Sequence, residues 1–111
     1  MKSHERNLVM EQVEFLILRN LLYNEEYLRK VLPFIKSEYF EDNNQKIVFE
    51  EILSFVQEYN KLATKEILCI EVENRKEITD TSFKEVVHLI NNLNDVPVEL
   101  NWILDTTEKW C

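Results

Sequence analysis

The sequence contains no glycine in its 111 residues. A phosphate-cradling loop needs glycine so that the backbone can turn tightly and bring its N–H groups against the phosphates. Neither a P-loop nor a dinucleotide-binding fingerprint is therefore present. Two-residue hairpin turns are also disfavoured, because the preferred types require positive φ. No apolar run approaches the roughly 20 residues that span a bilayer, so no membrane association is expected. Cysteine is scarce: Cys69 lies inside the apolar run ILCIEV, where a thiol acts as a small hydrophobe, and Cys111 is the last residue. Histidine is as scarce. His4 and His88 are far apart, neither has a cysteine nearby in sequence, and no metal-ligand spacing results. His88 reads as a polar residue on a helix flank. Basic clusters are missing too: the net charge is −8, and the nearest approach, Arg29-Lys30, is flanked by Glu25 and Glu26. Nucleic-acid binding relies on Lys and Arg displacing counterions, so strong direct binding is not expected. The N-terminus, MKSHERNLVMEQVEF, has acidic residues ahead of its apolar stretch and no small-residue cleavage site, so it is not a secretory signal. The composition points to a cytoplasmic, all-α domain with no cofactor and no metal.

What is present is helical periodicity. Residues 11–23 place Val13, Leu16, Ile17 and Leu21 on one face, widened by Phe15, Leu18 and Leu22. That broad stripe suits the middle of a bundle. Asn24 caps a second helix, Glu25–Leu32, with two glutamates in its first turn where the dipole favours anions. Pro33 ends it, and Phe34, Ile35, Tyr39 and Phe40 follow in a short irregular segment. Asp42 and Gln45 have the spacing of a capping box, ahead of Val48, Ile52, Phe55, Val56 and Tyr59 at helical intervals. Asn60 ends that helix, because asparagine tolerates the left-handed conformation usually given to glycine. Thr64 starts a helix running to about Asn74. Thr79, Asp80 or Thr81 caps the next, with Phe83, Val86, Val87, Ile90 and Leu93 in a narrow stripe. Asn94-Asp95-Val96-Pro97 turns the chain into a last helix carrying Leu100, Ile103, Leu104 and Thr107, with Trp102 and Trp110 nearby. There are eleven asparagines, several at expected helix ends, where they take over capping from the missing glycines.

Carboxylate pairs such as Glu25-Glu26, Glu50-Glu51 and Glu71/Glu73 carry no neighbouring histidine and no Glu-x-x-His spacing, so they read as solvated helix faces rather than acid–base or metal sites. The aromatics Phe34, Tyr39, Phe40, Phe49, Phe55 and Tyr59 lack interleaved basic residues, and core packing accounts for them better than base stacking. The chain thus divides into a helical head, 11–78, and a helical hairpin, 79–111, whose two apolar stripes occupy 82–110. A two-helix arm at a chain end has little body to bury against, and tryptophan is enriched at interface hot spots. Phe83, Val86, Val87, Ile90, Leu93, Leu100, Trp102, Ile103 and Trp110 are accordingly expected to supply the hairpin's core and its subunit interface. The other outcome open at this point is that 82–110 folds back to complete the bundle.

The segment VLPFIKSEYFEDNNQKIVFEEILSFVQEYNKLATKEIL, with the ending NWILDTTEKW, resembles the N-terminal domain of DnaB-type replicative helicases. The matching features are Glu38-Tyr39-Phe40, the Asn/Asp-rich cap, and a helix built on Ile47, Phe49 and Ile52. A helix end around Tyr59, the Thr64-initiated helix, and the pattern from Trp102-Ile103 to Thr107-Glu108-Lys109 complete the likeness. Asn60-Lys61 stands where bacterial members usually place a glycine, and the likeness is nearest to the T4-like phage branch. The resemblance implies a non-catalytic collar domain that self-associates, as a dimer or as a trimer of dimers in a hexamer, and docks primase and the helicase loader. It also implies that nucleotide and DNA are held by a C-terminal motor, and that Cys111 falls where the linker to that motor would begin. A small acidic phage regulatory protein that inhibits a host protein is the competing expectation.

Overall fold

The computed structural model describes residues 2–111, with side chains from residue 8 onward; His4 lies outside the described side chains. Among the described residues the secondary structure is helical throughout. The α-helices are α1 (Lys2–Tyr23), α2 (Glu25–Val31), α3 (Asn43–Tyr59), α4 (Lys65–Glu73), α5 (Asp80–Asn91) and α6 (Leu100–Trp110), with 3-10 turns at Leu32–Phe34 and Ser37–Tyr39. The all-α class follows from the sequence periodicity as expected.

Two helices make the centre. α1 packs on α3, α2 and α6 cover the other side of α1, and α4 and α5 cover the far side of α3. This layering explains the wide stripe on α1: Ile17, Leu18, Leu21 and Leu22 are all buried because the helix has neighbours on several sides. Helix α1 begins well before residue 11, since no proline or glycine stands among the preceding residues to stop it.

The caps carry out the work expected of them. Asn24 Oδ1 accepts from the Tyr27 N–H at 3.0 Å, Thr64 Oγ1 from Ile67, and Thr79 Oγ1 from Ser82. Asn60 has φ 56° and ψ 36°, the left-handed conformation, and closes α3 by donating to the Val56 carbonyl. The Asp42–Gln45 box is only half formed. Asp42 accepts from the Gln45 N–H at 2.9 Å, but the Gln45 amide donates to the Glu11 carbonyl instead of reaching back. The reciprocal acceptor is Glu14, buried on α1, which takes the Glu41 N–H at 2.9 Å and the Asp42 N–H at 3.4 Å.

The last two helices depart from a hairpin arm. They are joined by residues 92–99, and each docks on the body rather than chiefly on its sister: α5 lies on α3 and α4, and α6 on α1 and α2. The linking segment is pinned to α1, where Tyr23 Oη donates to the Leu93 carbonyl at 2.6 Å and Arg19 donates to the Val96 carbonyl at 2.8 Å. The physical reason is burial. Each stripe finds an apolar surface at home, on opposite flanks of the α1–α3 pair, and all of them join one hydrophobic core.

Candidate subunit interface

The nine residues expected at a subunit contact divide by burial. Val86, Ile90 and Leu93 of the α5 region and Ile103 of α6 have no exposed surface. They are core residues, and a residue without surface touches no second chain unless the domain opens. Phe83, Leu100 and Trp110 are half-buried against the same core, and Val87 is half-buried. Trp102 is 50% exposed.

The two tryptophans therefore serve different ends of α6. Trp110 is an internal anchor. Its ring meets Phe40 edge-on at 4.8 Å between centroids and Tyr39 at 6.0 Å, while Phe40 stacks on Phe49 at 5.0 Å. Edge-to-face contacts of this kind add to the burial of the rings themselves. Trp102 sits in the first turn, where the Glu99 carboxylate accepts from the Asn101 and Trp102 N–H groups. Its ring projects beyond the bundle, and Val96 is also well exposed in the segment leading into α6.

Between these ends α6 is fixed to α2 by a buried pair. The Thr107 hydroxyl donates to the Ile103 carbonyl at 2.7 Å, which uses its single hydrogen, so the Tyr27 hydroxyl donates to Thr107 Oγ1. Burial pushes the Tyr27 phenol well above its ordinary range, with the Thr107 contact pulling slightly the other way. Glu14 plays the matching role beneath α3. Desolvation raises its pKa, opposed by the N–H groups of Glu41 and Asp42 and by the Trp110 indole. Both residues escaped the sequence reading. Glu14 had a detectable signal, since it stands one turn before Leu18 on the buried side of α1.

Phe34 was read as part of an apolar patch, yet it is 71% exposed. It edges a groove of about 480 Å³ between α2 and α6, floored by Val31, Ile35 and Leu104 and rimmed by Lys30 and Glu108. The preceding Pro33 and the 3-10 turn hold Phe34 outward, a backbone effect that hydrophobic spacing does not register.

The remaining candidates are surface features. Glu50 and Glu51 form ion pairs with Arg75, and Arg29 and Lys30 pair one turn back with Glu25 and Glu26 at 3.2 and 3.8 Å. Pairing of Arg29-Lys30 within its own helix leaves little cationic potential for a phosphate backbone. His88 is exposed, and its Nε2 lies 3.2 Å from the Asn92 amide nitrogen. Among the described residues no group of three His, Cys, Asp or Glu side chains could hold a metal ion. No described helix is long and apolar enough to cross a membrane.

Comparison with known proteins accords with this helical domain. Residues 6–102 match the DnaB-like helicase N-terminal domain, from α1 into the first turn of α6. Over 95 residues the chain is 36% identical to the DnaB-like replicative helicase of Enterobacteria phage T4, an alignment covering 86% of this chain and 20% of that protein. The chain thus corresponds to about a fifth of its relative's length. The matched part is the non-catalytic N-terminal domain, and the ATPase part of such a helicase is absent from these 111 residues. The chain belongs to the family of DnaB-like helicase N-terminal domains.

Proposed function

We propose that this domain pairs subunits of a replicative helicase and offers a docking surface for primase and the helicase loader. The observation that carries the reading is the family match along nearly the whole fold. Exposed apolar surface supports the pairing role. Trp102 on α6 and Phe34 beside the α2–α6 groove are large hydrophobic side chains held outward by rigid local structure, and such anchors dominate binding energy at interfaces. On this reading the contact is made by Trp102 with Leu100 beside it on α6, while Val86, Ile90, Leu93, Ile103 and Trp110 hold the fold that presents it, and Phe83 and Val87 lie on the α5 flank, outside this contact.

Light scattering over a concentration series tests the pairing. The domain should show a mass above its 13.5 kDa monomer. Trp102→Ala or Phe34→Ala should return it towards the monomer with the circular dichroism spectrum unchanged. A wild-type domain that stays monomeric at every concentration overturns the pairing role. Docking is tested separately by co-sedimentation with primase and loader from the same replication system, and binding of neither overturns that half.

A further inference from the structure

A second surface lies on the opposite flank, between α3 and α4. The two helices run antiparallel, since Asn60 to Thr64 joins them and Arg75, just past α4, reaches back to Glu50 and Glu51. Their outer faces leave an open cleft of about 240 Å³. Phe55 and Tyr59 form one wall, one helical turn apart with ring centroids at 4.8 Å, and Ile67 of α4 forms the other. Tyr59 is 57% exposed and Ile70, one turn beyond Ile67, is 60% exposed.

The rim is acidic. Glu51, Glu58 and Glu71 line the cleft, and Arg75 neutralises Glu51 at one end. Among the described residues, Glu58 and Glu71 have no basic partner within ion-pair distance. The floor and the rim therefore ask for different chemistry from one ligand: an apolar side chain between the aromatic pair and Ile67, and a cation on either side of it.

Size narrows the class further. Small-molecule sites usually enclose roughly 300–1,000 Å³ and bury most of the ligand, whereas this cleft is smaller and open along both helices. It fits side chains projecting from a partner's helix. We propose that the α3–α4 cleft docks a cationic amphipathic helix of a partner protein, with an apolar residue entering against Tyr59 and Ile67 and flanking Lys or Arg residues on Glu58 and Glu71. A lysine or arginine stem over the Tyr59 ring adds a cation–π contact. The net charge of −8 draws such a partner in from a distance. This deepens the docking role proposed above, and it is independent of subunit pairing, which uses the α6 flank.

The test is a titration of the domain, followed by amide NMR shifts, with a synthetic helix bearing leucine on one face and lysine on the other. Shifts should concentrate on Phe55, Glu58, Tyr59, Ile67, Ile70 and Glu71. Tyr59→Ala should weaken binding about tenfold, the equivalent of roughly 1.4 kcal/mol. The pair Glu58→Lys and Glu71→Lys should weaken it at least as much, whereas Asp105→Lys with Glu108→Lys, equal in charge change but placed on α6, should leave it within about twofold. Three results overturn the proposal: no binding, shifts spread over every acidic face, or equal losses in the two charge-reversed pairs. None of them alters the light-scattering result, so failure of this cleft and failure of subunit pairing are told apart.

Discussion

Glu14 is a buried carboxylate whose ionisation is set by opposing forces, and its sign can be worked out. Burial raises its folded-state pKa above the ordinary 4.5 despite the N–H donors at Glu41 and Asp42. Between the unfolded and folded values the native state keeps a proton that the unfolded chain has lost. The group's contribution is thus fully present below the ordinary value and declines as pH rises through the folded one. Replacing Glu14 by Gln removes this titration. Urea unfolding at a series of pH values should show the stability of the natural domain, relative to Glu14→Gln, falling as pH rises from 4.5; a relative stability that rises instead would contradict the assignment. Asn60 gives the contrasting case of a residue legible in sequence. Only a few residue types accept φ of 56°, and in a chain without glycine an asparagine after a helical stripe stands out. Asn60→Ala should cost about 1 kcal/mol more than Asn60→Gly, because both lose the Oδ1 that accepts from Arg29 and both keep the backbone carbonyl it also binds, so that only the left-handed backbone separates them. The burial of Glu14 was legible from its place on α1, but its partners were not, because they come from a segment 27 residues away, a distance that spacing rules do not reach.

At the scale of elements, the positions of α2 to α5 and their N-caps follow from apolar spacing and from Asn24, Asp42, Thr64 and Thr79, whereas α6 starts at Leu100 on a Glu99 cap that the spacing does not single out. What the sequence left open was the partner of each stripe. The stripes of α5 and α6 were legible as surfaces in need of burial, and an amphipathic pattern does not say against what. Burial places them on opposite sides of the α1–α3 pair, and Arg19 and Tyr23 pin the connecting 92–99 segment through its backbone carbonyls, contacts that leave no mark in side-chain periodicity. The two tryptophans of α6 turn this into a measurable difference. Trp110→Ala removes a half-buried ring from an aromatic cluster and should destabilise the fold by about 2 kcal/mol, less than the roughly 3–5 kcal/mol found at fully buried aromatics. Trp102→Ala removes a half-exposed ring and should leave the unfolding free energy of the monomer within about 0.5 kcal/mol. Equal losses for the two would mean that the ends of α6 are not distinguished as described. Tyr27→Phe probes the middle of the same helix. It removes the donor to Thr107 but leaves the threonine's bond to Ile103 intact, so a cost near 1 kcal/mol is expected by urea unfolding.

At the scale of the whole molecule, charge and surface chemistry pull in different directions. Each copy carries a net charge of −8, so two copies repel at long range, and any pairing through Trp102 or Phe34 works against that repulsion. A cationic helix at the α3–α4 cleft is instead attracted by the same field. Salt screens both: raising ionic strength from about 0.1 M to 1 M shortens the screening length from roughly 10 Å to 3 Å. The two surfaces should therefore respond with opposite sign. Self-association measured by light scattering should strengthen with added sodium chloride, because the repulsion is screened while the apolar contact is not. Binding of the leucine–lysine helix should weaken over the same range, because its steering and its contacts with Glu58 and Glu71 are electrostatic. Self-association that falls with salt would mean that subunits meet through ion pairs, and would remove Trp102 and Phe34 from the contact. Helix binding that is indifferent to salt would mean that the apolar floor alone holds the peptide, and would deny Glu58 and Glu71 their part in choosing the partner.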